Sequence, residues 1–206
     1  LQIWKMGHTI IEKILMEKSG EAYLRPGEIV TVEPDRVMSH DNTAFIVKKF
    51  YQTGLKEVWN REKIVIIYDH CVPAKDPRHT LNHKEGKVFA EEQSLPYFFG
   101  ADAGVCHQVM MEKGLVLPGQ LILGADSHST LYGAMNSLGI PINRTEMAGI
   151  WATGKIWLKV PETIKINLEG NLQKGVYSKD IMLKLLGELK ADGAIYKSIE
   201  FTGSTI

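Results

Sequence analysis

The chain has 206 residues, and its 24 Lys and Arg are balanced by 24 Asp and Glu, so it offers no basic field to a nucleic acid and no acidic solvating tail. Hydrophobic residues make up 44% and charged residues 23%, the composition of a chain that can bury a core. No apolar run approaches the ~20 residues that span a bilayer, which excludes an integral helical membrane protein.

In chain order, Leu1 to Gly7 lack the apolar core of a secretory signal, and Met6 is a candidate initiator. Thr9-Ile10-Ile11-Glu12 has the spacing of a capping box, which predicts a helix to about Lys18. Glu28 to Glu33 alternates as a strand with one wet face. Asn42 or Thr43 is placed to cap a helix through about Gln52, closed at Gly54. Lys63 to Tyr68 is a continuous β-branched run, the pattern of a parallel strand covered on both faces, and it ends in Asp69-His70. A polar helix is predicted from about Leu81 to Gln93, a short strand near Pro96 to Phe99, and a helix from Val105 to Lys113 closed by Gly114. Gln120 to Leu123 is a second buried strand and also ends in acid and imidazole, Asp126-Ser127-His128. A helix over about Thr145–Thr153, a strand over about Thr163–Leu168 and a helix capped by Ser178 to about Lys190 complete the alternation. This pattern predicts an α/β chain with a largely parallel sheet between helices. Glu200 to Ile206 reads as interrupted rather than finished.

Three of the seven histidines sit in polar clusters: Ser39-His40-Asp41, Asp69-His70 and Asp126-Ser127-His128, with His107 following Cys106. Open α/β sheets bind ligands beyond the carboxyl ends of their strands, and two of these clusters fall there. A carboxylate beside an imidazole sets its tautomer and stabilises the imidazolium, which suits a proton donor near neutral pH. Ser127 and Arg144 are residue types that hold a substrate carboxylate. Each cluster alone also reads as a capped turn. His79 and His83, four apart on a predicted helix, read as a solvated face, because Thr80 stands where a metalloprotease helix carries its Glu. Cys106 reads as a buried structural thiol. Asp126-Ser127-His128 cannot form a hydrolase triad from consecutive residues, and no phosphate-binding glycine loop is present. Two cysteines, Cys71 and Cys106, are too few for a disulfide scaffold and point to a reducing compartment, the cytoplasm.

The run Gly124-Ala125-Asp126-Ser127-His128-Ser129-Thr130, followed by Tyr132-Gly133-Ala134, resembles a characteristic segment of the aconitase superfamily. Asp69 to Ala74, Gly104 to Val109, and Trp151 to Lys155 through Val160 to Thr163 are similar to the same family in the same order. The chain looks most like the large subunit of the 3-isopropylmalate dehydratase and homoaconitase group. The resemblance implies layered α/β/α architecture, here incomplete. It implies a hydro-lyase that moves water across a hydroxy di- or tricarboxylic acid such as 3-isopropylmalate, with a [4Fe–4S] cluster as Lewis acid and a separate small subunit carrying the swivelling domain. By that resemblance His70, oriented by Asp69, protonates the leaving hydroxyl, and His107 and Asp126 form a second pair. His128 contacts the water, Ser127 holds a carboxylate, and His40, Asp41 and Arg144 line the substrate.

Two departures qualify the resemblance. The family's cluster cysteines are expected beyond Ile206, and Cys71 and Cys106 stand at other positions, so this chain alone is expected to hold no cluster and to have no dehydratase activity. Second, Pro141-Ile142-Asn143-Arg144-Thr145 replaces a glycine-rich turn with a stiffer segment closer to homoaconitases, leaving a homoaconitate or dimethylmalate-type substrate open. A carboxylate-binding module without catalysis, or a mononuclear-metal hydrolase using His40, His70 and His128, are the alternatives.

Overall fold

A computed structural model describes residues 7–206; Met6 lies outside the described residues. The elements are α1 (Ile10–Ser19), β1 (Ile29–Val32), β2 (Arg36–Ser39), α2 (Thr43–Tyr51), β3 (Ile64–Ile67), α3 (Pro77–Glu92), β4 (Tyr97–Phe99) and α4 (Cys106–Glu112). They continue with β5 (Leu121–Gly124), β6 (Leu138–Pro141), α5 (Arg144–Thr153), β7 (Ile156–Lys159), β8 (Glu162–Asn167), α6 (Ser178–Leu189) and β9 (Lys197–Thr202).

Five strands form one parallel sheet in the order β4-β3-β2-β5-β6. Every residue of β3 and β5 is buried, as continuous apolar strands demand. The two-residue period sorts their side chains. Val37, Ile64, Ile66, Leu121 and Leu123 point into one core with Phe50, Phe89 and Trp151. Met38, Val65, Ile67 and Ile122 point into the other, against Cys106, Val109, Met110 and Tyr132. Helices α1, α2, α3 and α5 supply the first layer, and α4 with the 3-10 segment Ser129–Met135 supplies the second. The α/β/α layering is therefore present.

Local chemistry sets the helix ends. Thr9 and Glu12 exchange the two hydrogen bonds of the capping box at 3.2 and 2.9 Å, and α1 closes on Gly20 at φ 78°. Helix α3 starts at Pro77, ahead of the expected Leu81, because the Asp76 carboxylate accepts from the Arg78 and His79 amides at 2.8 and 3.0 Å and proline suits the first helical position. Ser178 is the first residue of α6 rather than its cap; the Tyr177 amide donates to Asp180 at 2.8 Å instead. Outside the main sheet, β1 pairs with β7 in an antiparallel ribbon, and β8 pairs with β9 in parallel. No helix among the described residues is long and apolar enough to cross a membrane.

Sequence patterning passes over four strands, β2, β6, β7 and β9, and of these β2, four residues long, stands at the centre of the sheet. From β2 the chain moves outward through β3 to β4, then returns to the other side of β2 for β5 and β6. The order reverses between β2 and β5, where a crevice opens at the carboxyl edge.

Candidate active site

All three polar clusters follow adjacent strands at that edge: His40-Asp41 after β2, Asp69-His70 after β3, Asp126-Ser127-His128 after β5. The reversal point is tied across: Ala125 donates its amide to Met38 at 2.8 Å, and its carbonyl accepts from the Asn42 amide at 2.8 Å and lies 3.1 Å from His40 Nε2. Asn42 stands at the cap position of α2 but spends its side chain on this tie.

His70 lies between two carboxylates. Its Nδ1 is 2.6 Å from Asp69 Oδ1 and its Nε2 is 3.2 Å from Asp126 Oδ2. A carboxylate only accepts, so both ring nitrogens donate, and the arrangement favours the imidazolium. Partial burial pulls the His70 pKa down, but Asp69 and then Asp126 more than offset it, and the net shift is upward. The ring stacks on His40, centroids 3.9 Å apart and planes at 21°.

Asp126 gathers the other partners. Its Oδ1 accepts from His107 Nε2 at 2.7 Å and from the His128 amide at 2.8 Å, and His128 Nδ1 is 3.3 Å away. Burial alone raises this carboxyl, but the His128 amide, His107 and His70 hold it well below the usual range. On the other side of the ring, His107 Nδ1 lies 3.0 Å from the Tyr132 hydroxyl, so the imidazole is held at both nitrogens. Burial pushes the Tyr132 phenol up, which keeps it a donor. Gly124 makes the turn possible: a Cβ there would strike the Ser129 side chain, whose hydroxyl donates to the Asp126 carbonyl at 2.8 Å.

Asp41 is almost fully buried and faces backbone rather than solvent. It accepts from the amides of Asp69 (3.1 Å), His70 (2.8 Å) and Cys71 (3.2 Å), and from His83 Nε2 at 2.5 Å. Burial raises this carboxyl, but His40, the His70 and Asp69 amides and His83 together hold it well below the ordinary carboxylate range. Asp69 in turn accepts from the Cys106 amide at 2.7 Å, which fastens α4 to the site.

Of the residues expected at a site, His40, Asp41, Asp69, His70, His107, Asp126 and His128 thus form one connected network. Ser127 is exposed, its Oγ 3.4 Å from His128 Nδ1. Arg144 is the first residue of α5, with its guanidinium 4.8 Å above the Phe45 ring and no carboxylate partner among the described residues. His79 and His83 do not share a target: His79 bonds Asp76 at 2.9 Å, while His83 turns inward to Asp41 and is not part of a solvated face. The residues that sequence patterning does not bring to the site are His83, Tyr132 and Asn42.

Donor atoms cluster in two sets, His40-Asp41-Asp69-His70 and His107-Asp126-His128. The carboxylates of Asp41 and Asp126 already take about four contacts each, the capacity of a carboxylate. We read both sets as hydrogen-bonded networks, and the three histidines of the mononuclear alternative do not share one set, His40 and His70 lying in the first and His128 in the second. An iron–sulfur cluster does not fit the thiols present. Both cysteines are free, Cys106 is fully buried, and burial and Asp69 push its thiol up, away from the thiolate that ligates iron.

Residues 2–206 match the family described as Aconitase family (aconitate hydratase). The chain is 45% identical over 202 residues to a protein named 3-isopropylmalate dehydratase large subunit 1 from Methanopyrus kandleri, covering 98% of this chain and 48% of that relative. It is 44% identical to the protein of that name from Pyrococcus abyssi, and 40% identical to a 3-isopropylmalate dehydratase large subunit from Hydrogenobaculum sp., with the same coverage. The chain spans about half the length of the curated relatives it matches. A match across nearly all 206 residues, on a sheet that brings the three motif clusters to one edge, makes this chain a member of the aconitase family.

Proposed function

We propose that the chain supplies the histidine–aspartate side of a hydro-lyase site, as part of a large subunit that dehydrates and rehydrates a hydroxy di- or tricarboxylic acid of the 3-isopropylmalate class. The observation that carries this is His70, held by two carboxylates at the strand-order reversal. His70, as imidazolium, donates its proton to the departing hydroxyl; Asp69 orients it from Nδ1 and Asp126 stabilises its charge. His107, fixed between Tyr132 and Asp126, keeps Asp126 ionised. His128, at the exposed mouth, meets the water, and Ser127 and Arg144 take substrate carboxylates, with His40 lining the floor. Asp41 shapes the Asp69–Cys71 turn, so its contribution to substrate binding is indirect. A [4Fe–4S] cluster in the complete protein, held by cysteines outside this chain, would supply Lewis acidity. The relatives' names support a separate small subunit as partner, and the two free thiols suit the cytoplasm.

The test is His70→Gln in the complete large subunit assembled with its small subunit. We expect kcat to fall by about 10²-fold or more with KM little changed. Because the His70 pKa is raised, the wild-type proton donor persists below its shifted value and is lost as pH rises through it. In Asp126→Asn that alkaline limb moves to lower pH. Unchanged turnover in His70→Gln overturns the reading. Anaerobic addition of iron and sulfide to the 206-residue chain is expected to give no stable cluster absorbance; a stable band with turnover would contradict this. Competing substrates are separated by assaying 3-isopropylmalate beside homoaconitate and dimethylmalate, with Arg144→Ala expected to raise KM for whichever is used.

A further inference from the structure

Helix α3 carries a histidine that nothing in the family match assigns. His83 leaves the helix surface and donates from Nε2 to the buried Asp41 carboxylate at 2.5 Å. Its ring is stacked on Tyr68, centroids 4.5 Å apart and planes at 19°, and the Tyr68 hydroxyl donates back to the His83 carbonyl at 2.9 Å. Tyr68 reaches that carbonyl because residue 86 is glycine, where a Cβ would strike the phenol oxygen. His83 is thus gripped by the strand end that precedes Asp69 and itself grips the carboxylate that holds the Asp69–Cys71 amides.

We propose that His83 is a positioning residue for His70, acting through Asp41 and the backbone turn that Asp41 captures. Asp41 has four donors: three are the amides of Asp69, His70 and Cys71, and the fourth is His83. The other charged or titratable groups at this locus are His40, whose Nδ1 is 3.8 Å from Asp41, and Asp69 and Asp126, which face His70. None of them duplicates the His83 contact. Without it a buried carboxylate loses its one side-chain hydrogen bond from α3, and the turn loses the brace that aims His70 at both carboxylates. The inference rests on the reading of His70 as proton donor, but its test does not depend on turnover.

In the 206-residue chain, the His70 and Cys71 amides and the His70 ring are followed by NMR in His83→Leu and His83→Gln. The glutamine amide can reach Asp41; leucine has no donor. In H83L, exchange at the two amides speeds by about tenfold or more, and the His70 midpoint drops by about 0.5–1 pH unit toward its ordinary value. H83Q restores most of both. A folded H83L with both readouts unchanged overturns the proposal. If H83L does not fold, H83Q is compared with H83N, one methylene shorter: loss in H83N alone supports the contact, and equal behaviour overturns it. In the assembled enzyme H83L lowers kcat more than it raises KM. Should His70→Gln leave turnover intact while H83L still shifts the His70 midpoint, the functional reading fails and the positioning contact stands.

Discussion

From β2 to α5 the strands lie between two helical layers, and Phe50, Phe89, Tyr132 and Trp151 are sealed from solvent. From β8 onward the chain repeats the same strand–helix–strand grammar, yet no described residue beyond Val160 is buried. Helix α6 turns Ile181, Leu185 and Leu189 partly inward but leaves Met182, Leu183 and Leu186 half or more exposed. The two regions share local propensity and differ in what covers them. A two-stranded parallel sheet with a single helix has too few layers to enclose a core, whereas five strands with helices on both faces enclose two. The edge that carries the candidate site belongs to the enclosed region, where the backbone is held tightly enough to aim side chains.

Core truncation is expected to divide the regions most sharply. Trp151→Ala removes a fully buried ring stacked on Phe89 at 5.1 Å and should cost about 3–5 kcal/mol in denaturant unfolding. Leu186→Ala should change stability by less than about 0.5 kcal/mol. Equal costs would break the comparison. Asp41→Asn comes next, at about 3 kcal/mol, because it breaks a buried carboxylate network. The Asp41 pKa is depressed in the folded state, so its stabilisation is complete above the unfolded carboxylate value near ~4 and is lost as pH falls below it. Wild-type stability should drop below about pH 4 more steeply than that of D41N; identical acid limbs would remove Asp41 from the account.

Glycines sharpen the comparison further. Gly124→Ala pushes a Cβ into Ser129 and should cost about 1–3 kcal/mol. Gly187→Ala, in the open helix α6 with nothing near the added methyl, should stabilise by about 1 kcal/mol. Thermal melts of the pair should therefore move in opposite directions. A stabilised G124A would mean that the Asp126 turn is less crowded than its contacts indicate.

Much of the enclosed region is legible along the chain. The β-branched run at Lys63–Tyr68, the apolar run at Gln120–Leu123, the Thr9–Glu12 box and the Asp-His endings each carry a local signal that survives folding. Arg36–Ser39 carries none: it is short, begins with a charge and does not alternate, and it becomes the central strand only because Val37 and Met38 find Ile64, Val65, Leu123 and Gly124 on either side. His83 is illegible for a related reason. On its own helix it matches a solvated face, and only the arrival of Tyr68 and Asp41 from other strands turns it inward. Asp41 likewise reads as a substrate ligand beside His40 until the amides of the Asp69–Cys71 turn are seen to occupy it.

By itself the sequence determined the α/β class, the parallel strands and the acid–imidazole pairs at their ends, because these follow from short-range periodicity and from motifs of adjacent residues. Only the tertiary structure decided which pairs face each other. His70 meets Asp126 across 56 positions, and His83 meets Asp41 across 42. Contacts between strands distant in sequence depend on sheet order, and sheet order is set by packing two cores at once rather than by any local preference.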